Sequence, residues 1–228
     1  MWEMWLVCFV KTHHKNHLAR VRTQELPKGI GGILGNKGGI ATSFMLYNRL
    51  FNIVATHLSA KPGKINERND MSSALINEFK LQEFQNEIGG LECDMLAEFS
   101  FFMGDLNYRL ETDFNQLMAK GKEHALNMVQ TEDDQFTISK ESGFFVNYNE
   151  PKIDFLPTYK LHKNKLEYVN KNSQAPSYCD RVLVKNNSSL KLTDDFYVGR
   201  HEVFGSDHRP VQRAMTIKGL ANPEYSDA

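Results

Sequence analysis

Apolar runs separated by turn residues recur along the chain and predict strands. Seven runs are rich in β-branched and aromatic residues, and turn residues bound most of them. They cover residues 5–10, 40–46, 50–56, 99–103, 181–184, 196–204 and 211–217. Because the gap between the second and third runs is short enough for a hairpin, we expect largely antiparallel pairing.

Helical periodicity is confined to two segments of the sequence. In residues 66–88 an apolar position recurs mostly every four or five residues, as on one face of a helix, at Met71, Leu75, Phe79, Phe84 and Ile88. Residues 113–129 repeat the pattern more weakly, and Gly121 is expected to break it. The chain therefore predicts a mixed α/β domain.

Composition and charge set the limits of this domain. The 228 residues are 41% hydrophobic and 24% charged, which is typical of a folded chain. In the absence of repeats or linkers, we expect one domain over residues 1–218 and a polar tail over 219–228. The formal net charge of −1 gives no overall attraction to nucleic acid or anionic membranes, so any phosphate-binding patch must be local.

Cysteine usage and hydropathy indicate the compartment. Cys8, Cys93 and Cys179 are odd in number and lack metal-ligand spacing, which favours reduced thiols and a cytoplasmic location. No apolar run approaches the ~20 residues that a membrane-spanning helix needs. The opening residues also lack the basic leader and small-residue cleavage site of a signal peptide.

Polar side chains that could act in catalysis or binding cluster where the predicted strands end. Asp105 and Asn107 follow an aromatic strand and, being two apart, would face the same side of an extended chain. His57 ends another strand, and Lys37 lies in the glycine-rich stretch LGNKGG, which lacks the spacing of a Walker loop. Taken singly, each is as well explained by a solvated turn or a structural histidine.

Further candidates lie in the second half of the chain. Tyr159 and Lys160 in LPTYKL could offer a hydroxyl and an ammonium to a phosphate, although an ordinary amphipathic strand explains them equally well. Asp180 precedes one strand, and Asp207 and His208 close another. Together these sites concentrate acid–base, phosphate-binding and metal-ligating types. Oxygen ligands without a Cys/His tetrad favour Mg²⁺ over zinc.

The order of the motifs is recognisable. GNKGGIA, THLSA, ERND, GDLNYR, PTYK, PSYCDR and SDHRPV occur in the sequence in that order. From about residue 5 to about residue 217 the chain resembles an inositol polyphosphate 5-phosphatase catalytic domain of the endonuclease/exonuclease/phosphatase superfamily. The resemblance implies a four-layer α/β/β/α sandwich with two largely antiparallel sheets. It also implies Mg²⁺-dependent removal of the 5-phosphate from soluble inositol polyphosphates or phosphoinositides, such as the 4,5-bisphosphate.

The resemblance also implies catalytic roles. Asp105 would activate the attacking water, and Asn107 would hold that water or a phosphate oxygen. Asp180 would pair with His208, and this pair would act with His57 to stabilise the charge of the transition state.

Substrate and metal contacts are implied in the same way. Lys37 and Arg109 would bind phosphate, Tyr159 and Lys160 would recognise the 4-phosphate, and Asp207 would lie near the metal.

Two departures from the family pattern matter. Tyr178 stands where the family has a tryptophan, which keeps an aromatic ring. The family's first strands, with the asparagine and glutamate that bind the metal, have no counterpart in this sequence. We therefore expect a partial domain, from a partial gene model or a truncated isoform, with little activity if the chain begins at Met1.

Two alternative functions compete with an active 5-phosphatase. One is a nuclease or sphingomyelinase of the same superfamily, against which PTYK, GNKGG and the lack of an extended basic face argue. The other is a weakly active or inactive remnant that binds phosphoinositide or a protein partner. We further expect a monomer that does not bind nucleic acid. We also expect it to contact membrane surfaces transiently as a peripheral protein, and Lys61 and Lys64 to contribute to that contact.

Overall fold

The computed structural model describes residues 4–29, 35–61, 63–78, 97–131 and 134–221. The strands are β1 (Leu18–Pro27), β2 (Gly38–Leu46), β3 (Arg49–His57), β4 (Phe99–Asp105), β5 (Asp180–Asn186), β6 (Leu192–Gly199) and β7 (Val211–Ile217). The helices are α1 (Ile65–Glu78), α2 (Phe114–Met128) and α3 (Gln135–Glu141), and a 3₁₀ helix, Thr12–His17, precedes β1.

The described strands form two sheets. Strands β1 to β5 make a five-stranded sheet in chain order, and β6 and β7 make a separate antiparallel pair. Within the larger sheet only β3 and β4 run parallel. The connection between these two strands contains α1, as a parallel pair requires a crossover.

One row of register partners forms the core of the larger sheet. Ala41, Val54, Phe102 and Leu183 pair in turn across β2, β3, β4 and β5, and all four are buried. This face packs against α1 and α3 in one apolar cluster. Removing these side chains from water is the main stabilising term for this layer.

A second apolar cluster lies around α2. Leu117, Ala125 and Met128 of this helix pack with buried residues that include Phe155 and Tyr178. Val182 of β5 and Val211 of β7 pack against the same cluster, so it links the two sheets.

Five of the seven predicted strands are confirmed: β2, β3, β4, β5 and β7. The strand predicted at residues 5–10 is wrong, because residues 4–10 form no helix or strand and Trp5 and Phe9 are 88% and 92% exposed. The strand predicted at 196–204 ends at Gly199, and Val203 and Phe204 lie on an exposed loop.

The prediction for α2 is confirmed. Asp113 caps the helix by accepting a hydrogen bond from the Gln116 amide, and Gly121, with φ of 77°, interrupts it. The predicted helix at 66–88 is confirmed as α1 up to Glu78, and residues 79–88 lie outside the described part. The sequence did not predict β1, α3 or the 3₁₀ helix.

The fold class is confirmed as mixed α/β with two largely antiparallel sheets. No helix among the described residues is long and apolar enough to cross a bilayer. Of the cysteines, Cys8 is exposed and Cys179 is buried, both as free thiols, and Cys93 lies outside the described residues.

Candidate active site

Three predicted site residues form a row across the larger sheet. His57 on β3 is the register partner of Asp105 on β4, which is in turn the partner of Asp180 on β5. Asp105 lies three residues after the core residue Phe102. Because side chains alternate between faces, this odd spacing turns the row away from the α1–α3 core.

Gly104 allows β3 and β4 to meet closely just before the row. Its φ is +128°, a region that side chains other than glycine rarely adopt, and a Cβ added there would lie 2.1 Å from the carbonyl oxygen of Thr56. The glycine of GDLNYR is therefore required by the backbone that presents Asp105.

The Asp105 carboxylate contacts two imidazoles. Its Oδ2 lies 3.2 Å from Nε2 of His57 and 3.9 Å from Nε2 of His208, and its Oδ1 accepts a hydrogen bond from the Asn107 amide at 3.0 Å. Burial alone would raise the pKa of Asp105, but His57, His208 and Arg109 outweigh it, and the pKa lies below its ordinary value. Asp105 is therefore ionised at neutral pH.

His208 is held by Asp180. Its Nδ1 lies 2.9 Å from Oδ2 of Asp180, and the Thr158 hydroxyl donates to the same oxygen at 3.1 Å. Burial would lower the pKa of His208, but the three carboxylates nearby, chiefly Asp180, raise it above its ordinary value. Burial raises the pKa of Asp180. The predicted Asp180–His208 pair is present in the structure.

Asn107 and Arg109 continue the polar segment beyond β4. The Asn107 side chain donates to the carbonyl of Leu58 at 3.2 Å, and its Oδ1 accepts from Nη2 of Arg109 at 2.5 Å. Arg109 is buried, and its Nη1 has no hydrogen-bond partner among the described residues. A buried guanidinium with an unsatisfied donor suits an anionic ligand.

Tyr159 joins the row to the PTYK segment. Its ring lies 4.3 Å from the His208 ring and 4.5 Å from Cζ of Arg109. Nζ of the adjacent Lys160 lies 2.7 Å from Oδ2 of Asp207, and this pair raises the pKa of Lys160, chiefly through the hydrogen bond. Asp207, predicted to lie near a metal, is thus engaged by Lys160.

Lys37 lies beside the row. Its Nζ contacts Nε2 of His57, and it borders a cavity of about 380 Å³. Lys28, Lys61 and Lys64 line the same cavity, and Lys64 pairs with Glu67 at 2.5 Å. Four lysines beside the row make a local basic patch despite the formal net charge of −1.

Two residues at the site were not singled out from the sequence. Thr158, which bonds Asp180, stands in the quoted motif PTYK, and Arg209, which is fully buried, stands in SDHRPV. The motifs were visible, but a side chain's partners depend on loop packing that spacing does not encode. Arg181 points to the opposite face, where its guanidinium lies 2.6 Å from Asp134.

A metal ion could be held at the row. Asp105, Asp180 and His208 each offer a ligand atom, and these atoms lie within 4.8 Å of one another. Carboxylate oxygens are the ligands that Mg²⁺ prefers in proteins, so the two aspartates fit this ion.

The fold and this polar row define a class of protein. Residues 1–214 match the family described as Endonuclease/Exonuclease/phosphatase family 2. The chain belongs to this family.

The curated relatives that the chain matches include proteins named as 5-phosphatases. The chain is 30% identical over 226 residues to phosphatidylinositol 3,4,5-trisphosphate 5-phosphatase 2 of Sus scrofa, which covers 92% of the chain and 17% of that protein. It is 27% identical over 222 residues to phosphatidylinositol 3,4,5-trisphosphate 5-phosphatase 1 of Rattus norvegicus, again with 92% of the chain and 18% of the relative covered. The resemblance to 5-phosphatases is confirmed, and the chain spans less than a fifth of the length of these relatives.

Solved structures share the fold. The inositol polyphosphate 5-phosphatase domain of SpSynaptojanin, solved with inositol (1,4)-bisphosphate and calcium, superposes with a TM-score of 0.74 at 23% identity, covering 90% of this chain and 58% of that one. The Cimex nitrophorin ferrous NO complex superposes with a TM-score of 0.68 at 26% identity, covering 90% and 68%. Because proteins with such different names share this fold, function has to be argued from the site.

Proposed function

We propose that this chain is a phosphomonoester hydrolase that removes the 5-phosphate from phosphoinositides or soluble inositol polyphosphates. The observation that carries the proposal is the position of Asp105, an ionised carboxylate within 3.9 Å of both His57 and His208. The relatives named as phosphatidylinositol 3,4,5-trisphosphate 5-phosphatases support this substrate class.

The row offers the groups that phosphate-ester hydrolysis needs. Asp105 accepts a hydrogen bond from the attacking water and orients its oxygen toward phosphorus. His208, whose positively charged form is favoured by Asp180, stabilises the negative charge that grows on the phosphoryl oxygens. Water adds as the ester bond breaks, and the products are inorganic phosphate and the inositol hydroxyl.

Positive groups around the row hold the substrate. Lys37 and Arg109 contact the reacting phosphate, the latter through its unsatisfied Nη1. Tyr159 and Lys160 bind the neighbouring 4-phosphate, which displaces Asp207 as the partner of Lys160. Mg²⁺ held by Asp105 and Asp180 would neutralise phosphate charge and make the water a better nucleophile. We propose that the protein works in the cytoplasm as a monomer, at membrane surfaces.

Phosphate release tests this function. The full chain, incubated with inositol 1,4,5-trisphosphate or phosphatidylinositol 4,5-bisphosphate and Mg²⁺, is expected to release inorganic phosphate at a low rate, and an Asp105→Asn variant is expected to release none. Removal of Mg²⁺ with a chelator should abolish release. Single-stranded and duplex DNA, assayed in parallel, should stay intact. Lipid binding without phosphate release by the parent chain would instead favour a binding protein, and DNA cleavage would favour a nuclease.

A further inference from the structure

Two loops flank the residues that bind the substrate in the proposed function. Residues 162–167 begin two residues after Lys160, and residues 200–206 directly precede Asp207. The two segments are joined at their bases, since the Leu161 amide donates to the Asp207 carbonyl at 2.9 Å. The tips of both loops therefore lie at the end of the molecule where Lys160 and Asp207 pair.

Hydrogen bonds join the tips of the two loops. The Gly205 amide donates to the Lys163 carbonyl at 2.8 Å. The fully buried Arg209 donates from Nη2 to the carbonyls of His162 and Lys165, at 2.7 and 3.0 Å, and from Nη1 to Ser206 at 2.6 Å. A buried guanidinium bonded to both loops makes them one unit.

This unit presents apolar side chains to solvent. Leu166 is 63% exposed, Val203 46% and Phe204 49%. Single exposed apolar residues are common, but here three are carried by two loops that are bonded to each other beside the proposed binding site.

The charges around these tips suit an anionic surface. Lys163 and Lys165 are exposed on the first loop. Glu167 pairs with Lys165, and Glu202 lies 3.8 Å from Arg200, so these acids are offset and Lys163 keeps its charge for an external partner. Apolar side chains with lysines at their margin are typical of proteins that rest in the headgroup region of a bilayer.

The size of the patch argues for a bilayer over a protein partner. A stable protein interface covers about 800 Å² on each side, more than three side chains provide. Insertion into a bilayer needs only apolar side chains at the loop tips that reach past the lipid headgroups.

We propose that Leu166, Val203 and Phe204 insert into the surface of an anionic lipid bilayer and turn the Lys160 side of the site toward it. The orientation toward substrate rests on the proposed function, whereas the membrane contact does not.

Vesicle sedimentation tests the contact without any substrate lipid. The full chain is mixed with vesicles of phosphatidylcholine containing about one-fifth phosphatidylserine, a charge density in the range of cytoplasmic leaflets. Leu166→Ser/Phe204→Ser is expected to lower the partition coefficient by about tenfold or more. The matched control, Met118→Ser/Val146→Ser, removes two apolar side chains that are similarly exposed elsewhere and should stay within about twofold.

Activity separates the two proposals. On soluble inositol trisphosphate the loop variant should keep the kcat/KM of the parent chain, and on vesicles containing phosphatidylinositol 4,5-bisphosphate it should lose about tenfold. The inference is overturned, whatever the rate of phosphate release, if the parent chain does not bind vesicles or if the loop variant binds them as well as the parent chain does. A parent chain that binds vesicles through these tips but hydrolyses neither substrate overturns the proposed function and leaves the membrane contact standing. If the double variant melts below the parent chain, Val203→Ser alone gives the same comparison.

Discussion

Asp105 and Asp180 are direct register partners on adjacent strands, yet their pKa values shift in opposite directions. Burial favours the neutral form of both carboxyls. At Asp105 the two histidines and Arg109 overcome burial, whereas at Asp180 burial and the neighbouring Asp105 prevail over His208. Unequal environments for neighbouring acids are how active sites divide roles between them.

Asp180→Asn tests the support of His208. Without the carboxylate, the His208 pKa should fall and its positive charge should be lost near neutral pH. We expect kcat to fall by about 10²–10³, the usual effect of losing one group that stabilises transition-state charge. Steady-state assays and an NMR titration of His208 measure the two effects. Asp195→Asn, an exposed acid bonded to Thr216, is the control, and equal kcat values in both variants would contradict the role.

Stability should depend on pH through the same pair. The folded-state pKa of His208 is raised from 6.5, so its stabilising contribution is complete below pH 6.5 and is lost as pH rises through the folded value. The difference in free energy of unfolding between the parent chain and His208→Gln should therefore shrink as the pH rises above 6.5. Urea titrations across this range measure it. A difference that is constant or grows with pH would rule out a raised pKa.

Gly104→Ala should damage both the fold and the site. The added Cβ would meet the Thr56 carbonyl oxygen at 2.1 Å in a backbone conformation unfavourable to alanine. We expect a loss of roughly 3 kcal/mol in the free energy of unfolding. Gly63→Ala, where an added Cβ meets nothing within 4 Å, should stay within about 0.5 kcal/mol. Thermal and urea denaturation compare the two, and equal stabilities would refute the steric argument.

Lys160→Ala should affect substrate binding more than chemistry. Loss of a charged hydrogen-bond donor predicts a KM about tenfold to a hundredfold higher for substrates with a 4-phosphate, with kcat little changed. An inositol phosphate without that group should show no change in KM. Lys191→Ala, which changes an exposed lysine just before β6, is the control. A large fall in kcat alone would place Lys160 in the chemical step.

The strands that carry the site were predictable because each is an apolar run that ends in a polar motif. His57 and Asp105 end β3 and β4, and Asp180 begins β5, which runs antiparallel to β4, so only the pairing order of the strands was needed to join the three residues in a row. The roles of Thr158 and Arg209 at the site depend on contacts between loops, and such contacts produce no periodic pattern in the sequence.

The errors in the fold have physical causes. Strand β1 is mostly exposed and polar, so it lacks the apolar alternation that marks a strand. Residues 5–10 have the right composition, but a strand exists only when a neighbour satisfies its backbone, and the described residues supply none. At Val203 and Phe204 an apolar pair was read as part of a strand although it lies on a loop.

The division of the site between sheet and loops bears on how such a protein can diversify. His57, Asp105 and Asp180 are held by their register on three adjacent strands, and the core residues Val54, Phe102 and Leu183 lie three residues away on the same strands, so the fold sets their positions. Tyr159, Lys160 and Asp207 lie outside the named strands, on segments where length and sequence vary at little thermodynamic cost. The preference for one phosphate pattern over another can therefore be rewritten by exchanging loops, while the hydrolytic row is inherited unchanged.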